Sequence, residues 1–252
     1  MLKALIFDVD GTLANTEEYH RQAFNDIFKQ LGLAWYWSVS LYTQLLEVTG
    51  GKERLKYYIE QYLPDFKPSN DINQFIQDLH SLKTDRYNQL LTQGSMELRP
   101  GVERLILDAR ENQQFLAIAT TTSSKNVIEL IKMTLGEKAL SWFKVIVSGE
   151  MVTAKKPAPD VYALVLAQLA LPAEQCIAIE DSYPGLQSAL AAGIKTIITP
   201  SNYTQHQNFT GASLVVDSLG EPNQPFKVIG GNAYGYDYLT IPFLHKISQG
   251  KE

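Results

Sequence analysis

Short apolar runs rich in Ile, Val, Ala and Thr recur along the chain, at Leu2 to Phe7, Phe115 to Thr120, Lys144 to Ser148, Cys176 to Ile179, Ile194 to Thr199 and Leu214 to Val216. They read as buried parallel strands. Between them lie segments with helical start and stop signals. Pro100-Gly101 opens one that runs to Asn112, Pro157 and Pro159 open one to Leu169, and Pro184-Gly185 open one to Ala192, before Gly193. Strands alternating with helices predict an α/β fold, a doubly wound, Rossmann-like parallel sheet.

Residues 17–93 break the alternation. Ala23, Phe24, Ile27, Phe28 and Leu31 follow helical spacing, as do Leu55, Tyr58, Ile59 and Tyr62, and no strand pattern is evident. The expected organisation is therefore a catalytic core of residues 1–16 and 94–252 with an inserted α-helical cap domain of residues 17–93. Hinges are expected near Ala14 to Glu17 and Gln93 to Pro100. The aromatic stretch "WYWSVSLY", Trp35 to Tyr42, is expected to supply the core of that insertion. Residues 220–252 are rich in Gly, Tyr and Pro, and no function follows from their pattern.

The 252 residues are 45% hydrophobic and 19% charged, an ordinary globular balance for one or two domains. A net charge of −5 with interspersed signs lacks the basic stripe of a nucleic-acid binder or a membrane-surface protein. The expected partner is a small molecule, and the expected state a monomer. The lone cysteine, Cys176, excludes an internal disulfide, fits a reducing compartment and reads as a core residue. No apolar run approaches the roughly eighteen residues of a membrane span, and no secretory signal opens the chain. A cytoplasmic location is expected, or the plastid stroma for a chain shown without a transit peptide.

Ligands of an open parallel sheet bind beyond the carboxyl ends of its strands, so the residues after each apolar run are the candidates. After the first come Asp8 and Asp10; after the second Thr120, Thr121, Thr122 and Ser123; before a helix Lys155 and Lys156; after the fourth Glu180, Asp181 and Ser182. Three carboxylates plus a carbonyl suit a hard cation, and Mg²⁺ is the ion that takes a few carboxylates while keeping waters for a phosphate. Hydroxyls, N–H groups and a lysine can cradle that phosphate.

The motifs "DVDGT" at Asp8 to Thr12, "LAIATTTS", "KKPAPDVY" and "IAIEDSYPG" resemble those of the haloacid-dehalogenase superfamily of phosphotransferases, over nearly the whole chain to about residue 220. The resemblance implies that Asp8 is the nucleophile and Asp10 the general acid/base, with Thr120 and Lys156 on the phosphoryl group. Asp8, the Asp10 carbonyl and Asp181 would hold Mg²⁺, with Glu180 a ligand or its support. Lys156 is chosen over Lys155 because the family's lysine directly precedes proline; Lys155 is expected to be exposed. The chemistry is consistent with this, since a carboxylate approaching a phosphate dianion meets repulsion of roughly 4 kcal/mol per charge pair at 4 Å and an effective dielectric of 20. Mg²⁺ and Lys156 are the counter-charges.

"FDVDGTLANTEEYHRQAF", "VTGGKERLKYYI", "ELRPGV" and "ATTTSSKNV" resemble more narrowly the CbbY-type sugar-bisphosphate phosphatases, within the branch of β-phosphoglucomutase and phosphoglycolate phosphatase. That resemblance implies xylulose-1,5-bisphosphate as the substrate class. Gly-Gly-Lys-Glu-Arg also has its own reading: Gly50 and Gly51 free a tight turn, and Lys52 and Arg54 then start a helix with two cations, a site for a second anion. Arg54 offers a bidentate fork and Lys52 a point charge. Thr16, Glu17 and His20, in and after the first hinge, are candidates for the sugar, with His20 also on the apolar helix face. A phosphomutase using the same residues and a non-catalytic phosphate binder are the alternatives.

Overall fold

The structure, a computed structural model, describes residues 1–68, 71–94 and 96–250. Ser95, in the expected second hinge, and the last two residues of the expected core lie outside the described residues. The chain divides into two compact units, Met1–Asn15 with Met96–Glu252, and Thr16–Ser95.

The first unit is built on a seven-stranded sheet in the order β3-β2-β1-β4-β5-β6-β7. Its strands are β1 Ala4–Phe7, β2 Phe115–Ala119, β3 Phe143–Val147, β4 Cys176–Glu180, β5 Lys195–Ile198, β6 Leu214–Val216 and β7 Val228–Gly231. Neighbours from β3 across to β6 pair parallel, and β7 pairs antiparallel with β6. The two-residue period of the strands decides which helix meets which face. Leu5, Phe7, Leu116, Ile118, Ile177 and Ile179 pack with buried residues of helices α5 Val102–Glu111, α6 Ser124–Leu135 and α9 Ile241–Gln249. Their neighbours Ala4, Ile6, Ala117, Ala119 and Ala178 turn the other way, toward α7 Asp160–Leu169 and α8 Tyr183–Ala191. Both faces are covered, which is why these strands read as unbroken apolar runs.

The segment left without assignment in the sequence completes this unit. It adds β7 to the sheet and α9 to one face, and Arg104 of α5 ties its start down through Gly220 O, Glu221 and Leu239 O at 2.8 to 3.1 Å. Lys195 Nζ donates to Ile247 O and Ser248 O, each at 3.0 Å, placing a cation on the carbonyl end of α9. No helix of the described residues is long and apolar enough to cross a membrane.

The second unit holds α1 Glu17–Gln30, α2 Val39–Leu45, α3 Gly51–Tyr62 and α4 Ile72–Gln93. Trp37 is fully buried, with its ring centroid 4.5 Å from that of Phe24, 5.1 Å from Phe28 and 5.3 Å from Tyr58. Trp35 makes edge contacts with Phe66 and Phe75. The expected aromatic core is thus carried by Trp35, Trp37 and Tyr42. Tyr36 departs from it at 67% exposure, because its neighbours on either side point inward and the extended chain turns it out. Leu31, expected on the apolar face of α1, is exposed because it caps the helix after its last turn.

Candidate active site

The carboxyl edge of β1 sets the first fixed points. Asp8 N donates to Ile179 O at 3.0 Å, so the chain just past β1 stays in register with the end of β4. Val9 then enters the core and the chain turns: Thr12 N and Leu13 N both donate to Val9 O, and Gly11 N donates to Ala14 O. Gly11 is required there on two counts. Its φ of +84° is left-handed, and a Cβ on it would lie 2.3 Å from Asp181 Oδ2. The turn holds Asp10 half-buried, paired as an isolated bridge with Ala14.

Lys156 joins three strand ends. Its Nζ donates to Asp8 Oδ1 at 2.6 Å, to Glu180 Oε1 at 2.5 Å and to Ala119 O at 2.9 Å, and the side chain is buried. Glu180 also accepts from the Tyr162 hydroxyl at 2.7 Å. A Cβ on Gly185 would lie 2.0 Å from Glu180 Oε2, so the first turn of α8 can close on this carboxylate only with glycine there. Asp8, Glu180 and Asp181 each bring a carboxylate oxygen within 4.8 Å of the others, all three buried.

Burial pushes the Asp8 carboxyl well above the usual carboxylate range; Lys156 opposes that rise, and the Glu180 and Asp181 charges add to it. Burial would lower the Lys156 ammonium, yet Asp8 and Glu180 hold it above its ordinary value. The Tyr162 phenol is raised well above its ordinary range by burial, then by the Glu180 and Asp8 charges, so it stays a donor. Ionised, the trio carries three negative charges against the ammonium of Lys156 and the guanidinium of Arg99 near Asp181. Hard oxygen donors, converging from two strand ends with net negative charge, fit a small divalent cation.

Among the residues expected from the sequence, the structure brings together Asp8, Lys156, Glu180 and Asp181, with Asp10 and Thr120 adjoining them in the chain. Thr120 is buried and its hydroxyl accepts from Thr122 N at 3.2 Å. Thr121 is half-buried, and Gly149 packs against its main chain with no room for a Cβ. The Thr122 hydroxyl accepts from Asn126 Nδ2 at 2.9 Å, which commits it to the start of α6. Lys155, expected to be exposed, is half-buried, because the turn that buries its neighbour Lys156 draws it in.

The other expected residues belong to the helical unit. Thr16 is buried at the start of α1, without a side-chain capping bond. Glu17 accepts from the Tyr42 hydroxyl at 2.8 Å. Arg54 is buried and donates from Nε to Leu45 O at 3.0 Å and from Nη1 to Tyr42 Oη at 3.1 Å. Nη2 is the part of its fork not engaged by these two partners. His20 is buried, stacked on Tyr87 with Lys83 Nζ 2.6 Å from its Nδ1. Gly51 opens α3, where a Cβ would lie 2.4 Å from His80 Nε2, and Lys52 is exposed. Lys52 and Arg54 thus stand in different surroundings, one in solvent and one enclosed.

Three participants were not visible in the sequence: Tyr162, Thr204 and Arg99. Tyr162 looks like one more apolar position of α7, and Thr204 lies in a polar loop, Ser201 to Asn208, with no motif. Arg99 carried the one signal that could have been read, a charged residue wedged between Leu98 and Pro100 at the return from the inserted domain.

Residues 5–199 match the family model described as haloacid dehalogenase-like hydrolase. The chain is 44% identical over 242 residues to Protein CbbY of Cereibacter sphaeroides, covering 96% of this chain and 99% of that protein. It also matches two crystal structures of CbbY from Rhodobacter sphaeroides, one in complex with phosphate and one of a mutant in complex with xylulose-(1,5)bisphosphate. Each match has a TM-score of 0.82 at 44% identity and covers 86% of this chain and 95% of the other.

Proposed function

Because the chain belongs to the haloacid dehalogenase-like hydrolases and is a phosphatase, we propose that it removes one phosphoryl group from a small pentulose bisphosphate, of which xylulose-1,5-bisphosphate is the type. The single observation that carries the chemistry is the buried Asp8–Lys156–Glu180 linkage with Asp181 alongside. In this reading the Asp8 carboxylate attacks phosphorus and the sugar oxygen leaves with a proton from Asp10. Asp10 then takes a proton from the water that splits the aspartyl phosphate, which releases inorganic phosphate and restores Asp8. Lys156 and the Thr120 hydroxyl hold phosphoryl oxygens, and the lysine offsets the charge that develops there. Asp8, the Asp10 carbonyl and Asp181 would hold Mg²⁺, with Glu180 bracing Lys156 or joining as a ligand. When bound, that ion supplies positive charge against which the phosphate dianion can approach a carboxylate.

The helical unit is the cap in this proposal. Its Thr16, Glu17, His20, Gly51, Lys52 and Arg54 recognise the sugar and the phosphate that is not transferred, and Thr121 contributes a main-chain donor from a loop that Thr122 N holds to Thr120 Oγ1. The lone cysteine, raised by burial to about 11, is inert and suits a reducing compartment such as the cytoplasm or the plastid stroma. The deciding measurement is phosphate release from a panel of pentose and hexose mono- and bisphosphates, with Mg²⁺ and with a chelator. The reading predicts preference for the pentulose bisphosphate and loss with the chelator. Equal rates with and without the chelator, or preference for monophosphates, would overturn it.

A further inference from the structure

The Asp181 carboxylate is held from behind by a loop that no part of the proposed reaction uses. Thr204, in the segment after β5, places its hydroxyl 3.1 Å from Asp181 Oδ2. Both side chains are buried. A hydroxyl has one proton, and the surrounding bonds decide where it goes. Ser201 N donates to Thr204 Oγ1 at 2.9 Å, which occupies one of its acceptor sites, and Ser201 Oγ lies 3.0 Å away on the same oxygen. The acceptors within reach of the proton are Ser201 Oγ at 3.0 Å, Asp181 Oδ2 at 3.1 Å and Ser201 O at 3.5 Å. The carboxylate is the charged one, so the proton points to it and Ser201 Oγ can donate to Thr204 in turn. Gly11 also presses against the same Oδ2, where even a methyl group would collide. Asp181 is thus confined by a donor and by a bare main chain.

Arg99 anchors the loop that presents Thr204. The guanidinium is buried and takes only neutral acceptors among its bonded partners: Nη1 donates to Gly11 O, to Thr199 O at 2.6 Å and to Thr199 Oγ1 at 3.2 Å, and Nη2 donates to Pro200 O at 2.9 Å and Asp217 O at 3.1 Å. Its own N–H reaches Leu13 O at 2.8 Å. One planar group therefore bolts the turn that follows Asp10 to the segment that leads into Ser201 and Thr204. A lysine in its place could offer charge but not a fork spanning three main-chain segments.

We propose that Thr204 is a positioning residue for Asp181, and that Arg99 holds the Thr204 loop to the Gly11 turn so that the carboxylates of β1 and β4 meet a divalent cation as one rigid frame. This inference rests on the Mg²⁺ site of the proposed function, and it goes beyond that site by assigning the groups that keep its ligands aimed. Residues that orient a metal ligand typically change metal affinity tenfold to a hundredfold when lost.

The test is Mg²⁺ titration of the full-length protein by calorimetry without substrate, well below each variant's unfolding temperature. Wild type reports on the site itself. Thr204→Val keeps the shape and removes the hydroxyl, and it is expected to weaken Mg²⁺ binding by about tenfold to a hundredfold. Thr204→Ser restores the hydroxyl and is expected to bind within about threefold of wild type. Arg99→Lys is expected to weaken binding as well. Should Arg99→Lys fail to fold, Thr204→Val decides alone, because Arg99 is assigned to the site through that loop. Wild-type affinity in Thr204→Val, or equal losses in the Val and Ser variants, would overturn the inference while leaving the phosphatase reading intact. Absence of Mg²⁺ binding by wild type would instead remove the metal site on which both depend.

Discussion

Lys156 Nζ lies 2.6 Å from Asp8 Oδ1, a buried ion pair that the sequence separates by 148 positions and the sheet brings together at its carboxyl edge. The same ammonium also bonds Glu180, so removing it would strand two buried carboxylates. Breaking such a pair costs about 3–5 kcal/mol because the surviving charge is left without compensation. Lys156→Met is therefore expected to lower unfolding free energy by roughly that amount in denaturant titrations at pH 7. Asp8→Asn differs, since it leaves Lys156 paired with Glu180 and removes a carboxylate that burial disfavours. It should keep the fold at wild-type stability or above while kcat falls below about a hundredth of wild type. An Asp8→Asn protein that retains more turnover than this would show that Asp8 is not the nucleophile.

The raised Asp8 carboxyl fixes a direction for pH dependence. Its folded value lies above the ordinary 3.8, chiefly from burial, so between those values the folded state binds more protons than the unfolded state. The Asp8 contribution to the stability of the metal-free protein then falls as pH rises through that window. A divalent cation needs the deprotonated form, and its stabilisation should grow over the same window. Thermal unfolding stepped from acid to neutral pH, with chelator and with Mg²⁺, checks both slopes. In Asp8→Asn the metal-free decline should flatten. A pH slope identical in wild type and Asp8→Asn would contradict the shift.

Arg54 gives a prediction that the structure sharpens. The sequence suggested a free bidentate fork, whereas Nε and Nη1 are held by Leu45 O and Tyr42 Oη, and Tyr42 in turn donates to Glu17. The arginine is thus held by its own helical unit, which leaves Nη2 as the group that would meet an anion in the proposed function. Losing one partner of a desolvated charge pair costs roughly 2–5 kcal/mol, about thirtyfold to several thousandfold in kcat/KM. Arg54→Ala should show that loss on a pentulose bisphosphate and only a few-fold loss on p-nitrophenyl phosphate, which has no second phosphate. Tyr42→Phe, which removes the hydroxyl between Arg54 and Glu17, should fall in the same direction by a smaller factor. Equal losses on both substrates would mean that Arg54 serves the helical unit's packing and not recognition.

How far the sequence reached depends on the kind of signal each feature leaves. β1 to β6 were legible because a strand buried on both faces must be continuously apolar, and Asp8, Asp10, Glu180 and Asp181 stood out as charges at the ends of such runs, whereas Lys156 was picked out before a helix by the family's lysine-proline pattern. β7 left no such trace: Val228 and Ile229 are largely exposed and are followed by two glycines, so neither alternation nor burial marks the strand. α9 is short, and its apolar face is satisfied by contacts with α5 that only the fold reveals. Thr204 and Arg99 were hidden for a related reason. Their partners are mostly main-chain atoms and one distant carboxylate, and main-chain acceptors have no sequence signature.

His20 shows the same limit within the helical unit, and it carries the last prediction. From the sequence it was either a packed histidine or a substrate contact; in the structure its ring stacks on Tyr87 at 3.9 Å between centroids while Lys83 Nζ sits 2.6 Å from Nδ1. With Lys83 as an ammonium, which offers donors only, Nδ1 is the acceptor and the ring proton resides on Nε2. Lys83 is itself buried, with its charge over the Phe24 and Tyr87 rings at 4.9 and 5.2 Å. Lys83→Met is expected to release the tautomer, which nitrogen-15 spectra of the imidazole report directly. If His20 donates to the sugar through Nε2, kcat/KM for the bisphosphate should fall with the tautomer change, by about the tenfold or so that one hydrogen bond is worth, while p-nitrophenyl phosphate is hydrolysed at nearly the wild-type rate. A wild-type spectrum showing the proton on Nδ1 would refute the donor geometry outright. An unchanged kcat/KM after the tautomer has shifted would return His20 to the role of a packed side chain.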